Sequence, residues 1–337
     1  MFRENFVKDV ENSRYPKEDN YNKSANEILY ITPIFKQMIW GGNRLANEWK
    51  YDIPYENAGE CWAVSAHPNG DCVVKEGSYA GKSLSQLWKE KPEIFGNTVS
   101  DKFPLLIKII DANADLSIQV HPDDEYAKKN ENGSFGKTEC WYILDAPADA
   151  ALIIGHNARD KKELEEMIHD GKWDQLLREV PVKKGDFIQI DPGTVHAIKG
   201  GIEILETQQN SDITYRVYDY DRLEEGKPRE LHIDKSMDVI TVPAKPVEGY
   251  IIHTVQNETN KMQLLISCKY YRVWKLDIDK SISFTQKYPF LIMSITEGKG
   301  ILNGRPVKKG DHFILPNNFG NVNIQGNIEI IASTIGE

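Results

Sequence analysis

From Ile28 onward the chain breaks into short apolar segments separated by Gly, Pro and Asn, the pattern of many short strands. Ile31-Thr32-Pro33-Ile34-Phe35-Lys36 leads into Ile39-Trp40-Gly41-Gly42-Asn43, where the paired glycines mark a sharp turn. Glu60 to His67 reads as a strand, and the near-continuous apolar run from Phe103 to Ile110 reads as a buried one. One helix start is well signalled, because Ser83 with Gln86 three residues later makes a capping box ahead of Leu84, Leu87 and Trp88. A small helical insert is expected near residues 158–180. Leu164, Met167 and Ile168 fall at i, i+3, i+4 before Gly171, and Trp173, Leu176 and Leu177 repeat the spacing in a second short helix. Strands are expected to resume at Val182.

An internal echo organises the rest. Val182-Lys183-Lys184-Gly185-Asp186-Phe187-Ile188 is matched by Val307-Lys308-Lys309-Gly310-Asp311-His312-Phe313, each a Gly-Asp turn followed by a strand that ends at a proline. The first copy goes on to His196, whereas the second reaches Asn317 and Asn318 without a ligand. This predicts an all-β chain of two barrel units, one bearing a metal and one keeping only the architecture. The expected division is a charged arm over 1–28, a metal-binding unit over 29–250 and a ligand-free unit over 251–337.

The composition narrows the partners. A hydrophobic content of 40% supports real cores, and no apolar run approaches the roughly 18 residues of a membrane span. A net charge of −10 argues against nucleic acid or an anionic membrane, so an anionic substrate would need a local cluster of Lys and Arg. Cys61, Cys72, Cys140 and Cys268 form no CxxC pair and read as reduced thiols of a cytoplasmic protein. The first 27 residues carry eleven charged residues and no apolar core of a secretory signal. The chain is expected to be a monomer or a homodimer.

The candidate chemistry lies in three segments. Within Ser117-Ile118-Gln119-Val120-His121-Pro122, Gln119 and His121 are two apart and leave a strand on one face. Thr138-Glu139-Cys140-Trp141-Tyr142 carries a carboxylate among apolar neighbours, and Pro192-Gly193-Thr194-Val195-His196 adds an imidazole at a turn. Two neutral imidazoles, a carboxylate and an amide oxygen suit a divalent transition metal, zinc above all, with manganese, iron or cobalt as other occupants. Gln119 can equally orient a ligand without touching the ion. The other histidines, His156, His169, His232, His253 and His312, are assigned to structure or surface.

These motifs resemble one family. Together with Gly59-Glu60-Cys61-Trp62, Ser65-Ala66-His67-Pro68-Asn69-Gly70, Gly136 to Tyr142 and Leu205-Glu206-Thr207-Gln208-Gln209-Asn210 into Thr214-Tyr215-Arg216-Val217-Tyr218-Asp219, the chain resembles the type I mannose-6-phosphate isomerases in their short bacterial form. The resemblance implies a double cupin and metal-dependent interconversion of mannose 6-phosphate and fructose 6-phosphate. It puts metal ligands at His121, Glu139, His196 and Gln119, and the catalytic arginine at Arg216. It also puts sugar-phosphate contacts at Ser117 and Lys137, and a carboxylate lining the site at Glu206. Arg222 stands where longer relatives carry a basic residue. Their large helical domain has no counterpart, because the insert is too short.

Aldose–ketose isomerisation moves a proton between C1 and C2 through a cis-enediol, so the site needs a base and a stabiliser of oxygen charge. Glu206 is the first candidate for the base, with a metal-bound hydroxide or His67 behind it. Arg216 supplies permanent positive charge, unless it pairs with Asp219 or Asp221. Two rivals share the motifs: an isomerase or epimerase of another sugar phosphate, and a non-catalytic cupin that binds a sugar phosphate.

Overall fold

The structure is a computed structural model that describes residues 27–252 and 258–336. It is mostly β, with 43% strand and 15% helix. All but the last two residues of the expected arm, and His253, lie outside the described residues. The chain opens with β1 (Leu29–Thr32), β2 (Ile34–Gln37), β3 (Ala58–Val64), α1 (Leu84–Glu90), β4 (Leu105–Asp111) and β5 (Ile118–Val120). Next come α2 (Asp124–Asn130), β6 (Glu139–Asp145), β7 (Ala151–His156), α3 (Lys161–His169), α4 (Trp173–Leu176) and β8 (Leu177–Pro181). Then follow β9 (Phe187–Ile190), β10 (His196–Ala197), β11 (Glu203–Gln209), β12 (Tyr215–Tyr218) and α5 (Ile233–Val239). The C-terminal part holds β13 (Lys261–Ser267), β14 (Tyr271–Ile278), β15 (Leu291–Leu302), β16 (His312–Leu315) and β17 (Gly320–Ile335).

A seven-stranded sheet runs from Ile251–Ile252 through β9, β6, β11, β4 and β3 to β2, and a five-stranded sheet runs β8, β7, β10, β5, β12. The seven-stranded sheet is covered on both faces, which is why its strands read as unbroken apolar runs rather than alternating ones. Parity sorts its side chains. Cys61, Ile107, Ile109, Cys140, Tyr142 and Leu205 pack outward in one core with Tyr271, Phe290, Ile292 and Ile331 of the C-terminal part. Ile110, Trp141, Ile143, Ile188 and Ile204 pack inward in another. The sheet is thus the wall between the two units.

The C-terminal unit repeats the device. Val273, Ile292 and Ile331 face that shared core, while Trp274, Leu276, Leu291, Met293, Ile330 and Ala332 fill the unit's own interior. Its sheet takes in β1, which pairs with β16 (Leu29 opposite Ile314) and with Val73–Val74. The echoed turns are built alike: Lys183 N–H donates to Asp186 Oδ2 at 3.0 Å, and Lys308 N–H to Asp311 Oδ2 at 2.9 Å. In both, a glycine with φ near +88° precedes the aspartate. That backbone region favours glycine, which has no Cβ to clash.

Ser83 makes its capping box: its Oγ accepts from Gln86 N–H and its own N–H donates to Gln86 Oε1. The helical insert is shorter than its spacing suggested. Leu177 already belongs to β8, so strands resume at Leu177 and not at Val182. The chain turns extended there because Leu152, Ile153 and His156 of β7 offer it a strand partner, and pairing overrides the local helical spacing.

On the outward face, Glu203 lies directly opposite Asp111, both almost fully buried, and accepts from Trp49 Nε1 at 2.7 Å. Burial first, and the Asp111 charge beside it, push the Glu203 carboxyl up to about 7 despite the Trp49 donor. Its folded value therefore lies above the ordinary carboxylate value of about 4.3. The folded state favours the protonated form, and stability is lost as pH rises from that ordinary value through the folded one. Glu203→Gln keeps the acceptor and cannot ionise. Urea unfolding at pH 8 is expected to show the variant more stable by up to about 3 kcal/mol, with no gain at pH 4. An equal difference at both pH values would contradict the assignment.

Candidate active site

Strand register builds the site from two rows that face each other. Across the seven-stranded sheet, Trp62 (β3) is opposite Lys108 (β4), Lys108 opposite Glu206 (β11), and Glu206 opposite Trp141 (β6). Across the five-stranded sheet, Arg216 (β12) is opposite Gln119 (β5), and Gln119 opposite His196 (β10). Between the rows lies a cavity of about 620 Å³ lined by members of both, with Ser117, Lys137, Glu60, Asp212 and Arg229.

His121, Glu139 and His196 come together at the buried end of this space, their ligand atoms all within 4.8 Å of one another. His196 Nδ1 donates to the Thr194 carbonyl at 2.9 Å, which turns Nε2 toward Glu139 Oε1 at 3.3 Å. His121 Nε2 is 3.4 Å from Glu139 Oε2. Neither oxygen of Glu139, a fully buried residue, has a hydrogen-bond partner of sound geometry. Glu139 already has one cation beside it, the Lys137 ammonium at 2.8 Å, and what fits a metal ion is the donor set itself, a carboxylate and two neutral imidazoles converging on one point. The Gln119 amide lies 3.2 Å from His196 Nε2, and a half-turn of that amide would present oxygen in place of nitrogen.

The electrostatics suit that use. Burial first, then the Lys137 charge, lowers His121 well below the usual imidazole range, and burial also lowers His196. Both rings are neutral, as ligands must be. Burial would raise the Glu139 carboxyl, but the Lys137 ammonium at 2.8 Å and His196 hold it below the usual range. Glu206 goes the other way, raised by burial and by the Glu139 charge. Two neighbouring carboxyls pushed apart in this manner are suited, one to fixed charge and the other to proton transfer.

Every residue singled out from the sequence except Arg222 and His67 lies at this cavity or at its buried end. Lys137 is nearly fully buried beside the triad, 3.1 Å from His121 Nε2. Ser117 and Arg216 line the wall. Arg216 does not close a direct ion pair with Asp219, whose carboxylate is taken by Arg222 and by Arg229 (Nε to Oδ2, 2.8 Å). His67 packs its ring edge-on against Trp62 outside the cavity lining. Lys108, Glu60, Asp212 and Arg229 escaped the sequence reading as site residues. Lys108 carried a signal, since a lysine inside Leu105-Leu106-Ile107-Lys108-Ile109-Ile110 breaks an otherwise apolar buried strand. Burial would lower its ammonium, but Glu60 and Glu206 outweigh that and hold it charged.

Comparison with known proteins supplies the family. The model described as "Phosphomannose isomerase type I, catalytic domain" matches residues 28–174, and that described as "Mannose-6-phosphate isomerase, cupin domain" matches residues 260–335. The chain is 52% identical to mannose-6-phosphate isomerase ManA of Bacillus subtilis (strain 168) over 314 residues, covering 92% of this chain and 99% of the relative. It is 48% identical to mannose-6-phosphate isomerase of Streptococcus mutans, covering 92% and 99%. A crystal structure of mannose 6-phosphate isomerase from Bacillus subtilis superimposes with a TM-score of 0.88 at 47% identity, covering 91% of this chain and 99% of that one. With relatives this similar along nearly their whole length, the chain belongs to the type I phosphomannose isomerases, a family of metal-dependent isomerases.

Proposed function

We propose that the protein interconverts D-mannose 6-phosphate and D-fructose 6-phosphate with one zinc ion per chain. The observation that carries this reading is the buried convergence of His121, Glu139 and His196 at the end of a cavity lined by Glu206 and Arg216. His121, Glu139, His196 and Gln119 would hold the ion, which when bound polarises carbonyl and hydroxyl oxygens as a Lewis acid. Glu206 carries the proton between C1 and C2, its carboxyl raised above the usual range by burial and by the Glu139 charge. Arg216 opposes the negative charge that gathers on the substrate oxygens. Lys137 and Lys108, buried ammonium groups on the floor, add to that field and orient the sugar hydroxyls. Ser117 donates to the substrate from the wall. Lys108, Lys137, Arg216 and Arg229 together make the local positive cluster that a chain of net charge −10 needs for an anionic substrate.

The metal-bearing unit spans 29–250 and the unit without ligands 251–337, with β1 lent by the first to the second. Four free thiols, three of them buried, support a reducing cytoplasmic setting. A coupled assay for fructose 6-phosphate formed from mannose 6-phosphate tests the whole reading. Turnover is expected to vanish on chelation and return with zinc. No turnover in protein confirmed to be zinc-loaded would overturn it.

A further inference from the structure

The two ends of the cavity differ in charge. At the metal end Lys137 meets Glu139, and Lys108 lies between Glu60 and Glu206, so cations and carboxylates are matched. Asp212, the other carboxylate of the lining, accepts from Asn69 Nδ2 at 2.9 Å, and Lys36 donates to the Asn69 carbonyl. Register sets the far end. β12 runs antiparallel to β5, with Arg216 opposite Gln119 and Tyr218 opposite Ile118, so the chain beyond Tyr218 comes level with Ser117. Ser117 is four residues before His121, about 13 Å along an extended chain. It lines the cavity at 4% exposure, and its hydroxyl has no hydrogen-bond partner among the described residues.

Asp219 follows β12 directly. Arg222 N–H donates to its carbonyl at 3.2 Å, closing a tight turn with Tyr220 at φ +56° and Asp221 at φ +53°. Two successive non-glycine residues in the left-handed region persist only where their surroundings hold them there. The holder here is the buried Asp219 carboxylate, which accepts from both Arg222 and Arg229. Arg222 is fully engaged, with Nε on the Asp219 carbonyl and Nη1 on the Asp115 carbonyl. Arg229 is not. Its Nε and Nη2 donate to Asp219, while Nη1 has no partner among the described residues and the side chain lines the cavity. Arg216 closes no ion pair among the described residues; the exposed Glu224 and Glu230 bear on it from farther away. Three guanidinium groups thus share one buried carboxylate, which leaves positive charge in excess at this end.

We infer that Arg229 recognises the phosphate of the substrate, with its Nη1 and the Ser117 hydroxyl as donors, and that Asp219 holds the guanidinium in place for it. A planar guanidinium fixed along one edge presents the rest of its donors to phosphate oxygens in a set geometry. The reacting C1–C2 end of the sugar then lies toward the metal, and the phosphate on C6 at the far end. This deepens the reading above and rests on a sugar phosphate being the substrate.

The test compares wild type, Arg229→Gln, Arg229→Lys and Arg216→Gln, all zinc-loaded. It reads kcat and KM for mannose 6-phosphate, and by calorimetry the Kd of mannitol 6-phosphate, which has no carbonyl to isomerise. Arg229→Gln is expected to raise both KM and Kd about 10- to 100-fold, the scale of a lost hydrogen bond to a charged group. Its kcat is expected within about threefold and its zinc content unchanged, because the phosphate is the same in substrate and transition state. Arg229→Lys keeps the charge without the fork and is expected to show a smaller rise, and it carries the test should Arg229→Gln fold poorly. Unchanged KM and Kd in both Arg229 variants would overturn the inference, as would a loss in kcat rather than KM, or weaker mannitol 6-phosphate binding confined to Arg216→Gln. A wild type that binds mannitol 6-phosphate but shows no turnover fails the isomerase reading alone, since the Kd values still decide the role of Arg229. One that does not bind it fails both.

Discussion

His196→Ala is expected to be purified with less than about a tenth of the wild-type zinc after dialysis, and to lose about 1,000-fold in kcat/KM. The size follows from two contributions. Disturbing the support of a ligand already costs about 10- to 100-fold in metal affinity, and deleting a ligand costs more. Lewis-acid polarisation is worth several kcal/mol, and each 1.36 kcal/mol is about tenfold in rate. His196 is a severe test because its neighbours cannot fill in. Its Nδ1 is committed to the Thr194 carbonyl, and the nearest amide, Gln119, lies 3.2 Å from the Nε2 that would be removed. Elemental analysis and the coupled assay read both effects. A variant that kept its zinc and most of its rate would show that the triad is not the metal centre.

Arg216→Ala is expected to lose about 100- to 1,000-fold in kcat while keeping its zinc, the size seen when one preorganised donor to a developing oxyanion is removed. Retained metal separates this variant from the ligand variants. The guanidinium is placed rather than loose: Nη1 donates to the Glu230 carbonyl at 2.8 Å, and Arg216 N–H donates to His232 Nδ1. Its Nε is buried without a hydrogen-bond partner. Burial and the Arg229 charge both press its pKa down, so the arrangement is costly and is not explained by stability. Arg216→Lys should rescue poorly, because an ammonium cannot bond the Glu230 carbonyl and the substrate in the same fixed plane. Steady-state kinetics within a few-fold of wild type would remove Arg216 from the mechanism.

The residues that bring chemistry were legible because their types are rare in strands. A glutamate in Thr138-Glu139-Cys140-Trp141 and a histidine after Pro192-Gly193 stand out, and the echo of Gly185-Asp186 in Gly310-Asp311 announced two units. What stayed hidden was pairing. Nothing in the sequence sets Lys108 opposite both Trp62 and Glu206, since register is decided by the assembled sheet. Two seven-residue helices were also missed. α2 buries only Ala127 within Asp124–Asn130, too little for an amphipathic stripe, and α5 starts at His232 without a side-chain cap. Arg229 follows a short exposed hairpin, Leu223–Glu224 with Lys227–Pro228, whose polar sequence hides that it returns an arginine to the cavity.

The pairing of β1 with β16 bears on how the protein is made. Leu29 meets Ile314, a partner 285 positions later (314 minus 29). At about 5–20 residues per second a ribosome needs roughly 15–60 s to deliver it. Through that interval Leu29, Tyr30 and Ile31, all buried in the finished molecule, have no β16 edge to join. The metal-binding half of the chain is synthesised first, yet the strand that ties it to its neighbour is closed last. Folding is therefore completed only after release of nearly the whole chain, and a nascent chain stalled before residue 312 would present an adhesive apolar strand to chaperones.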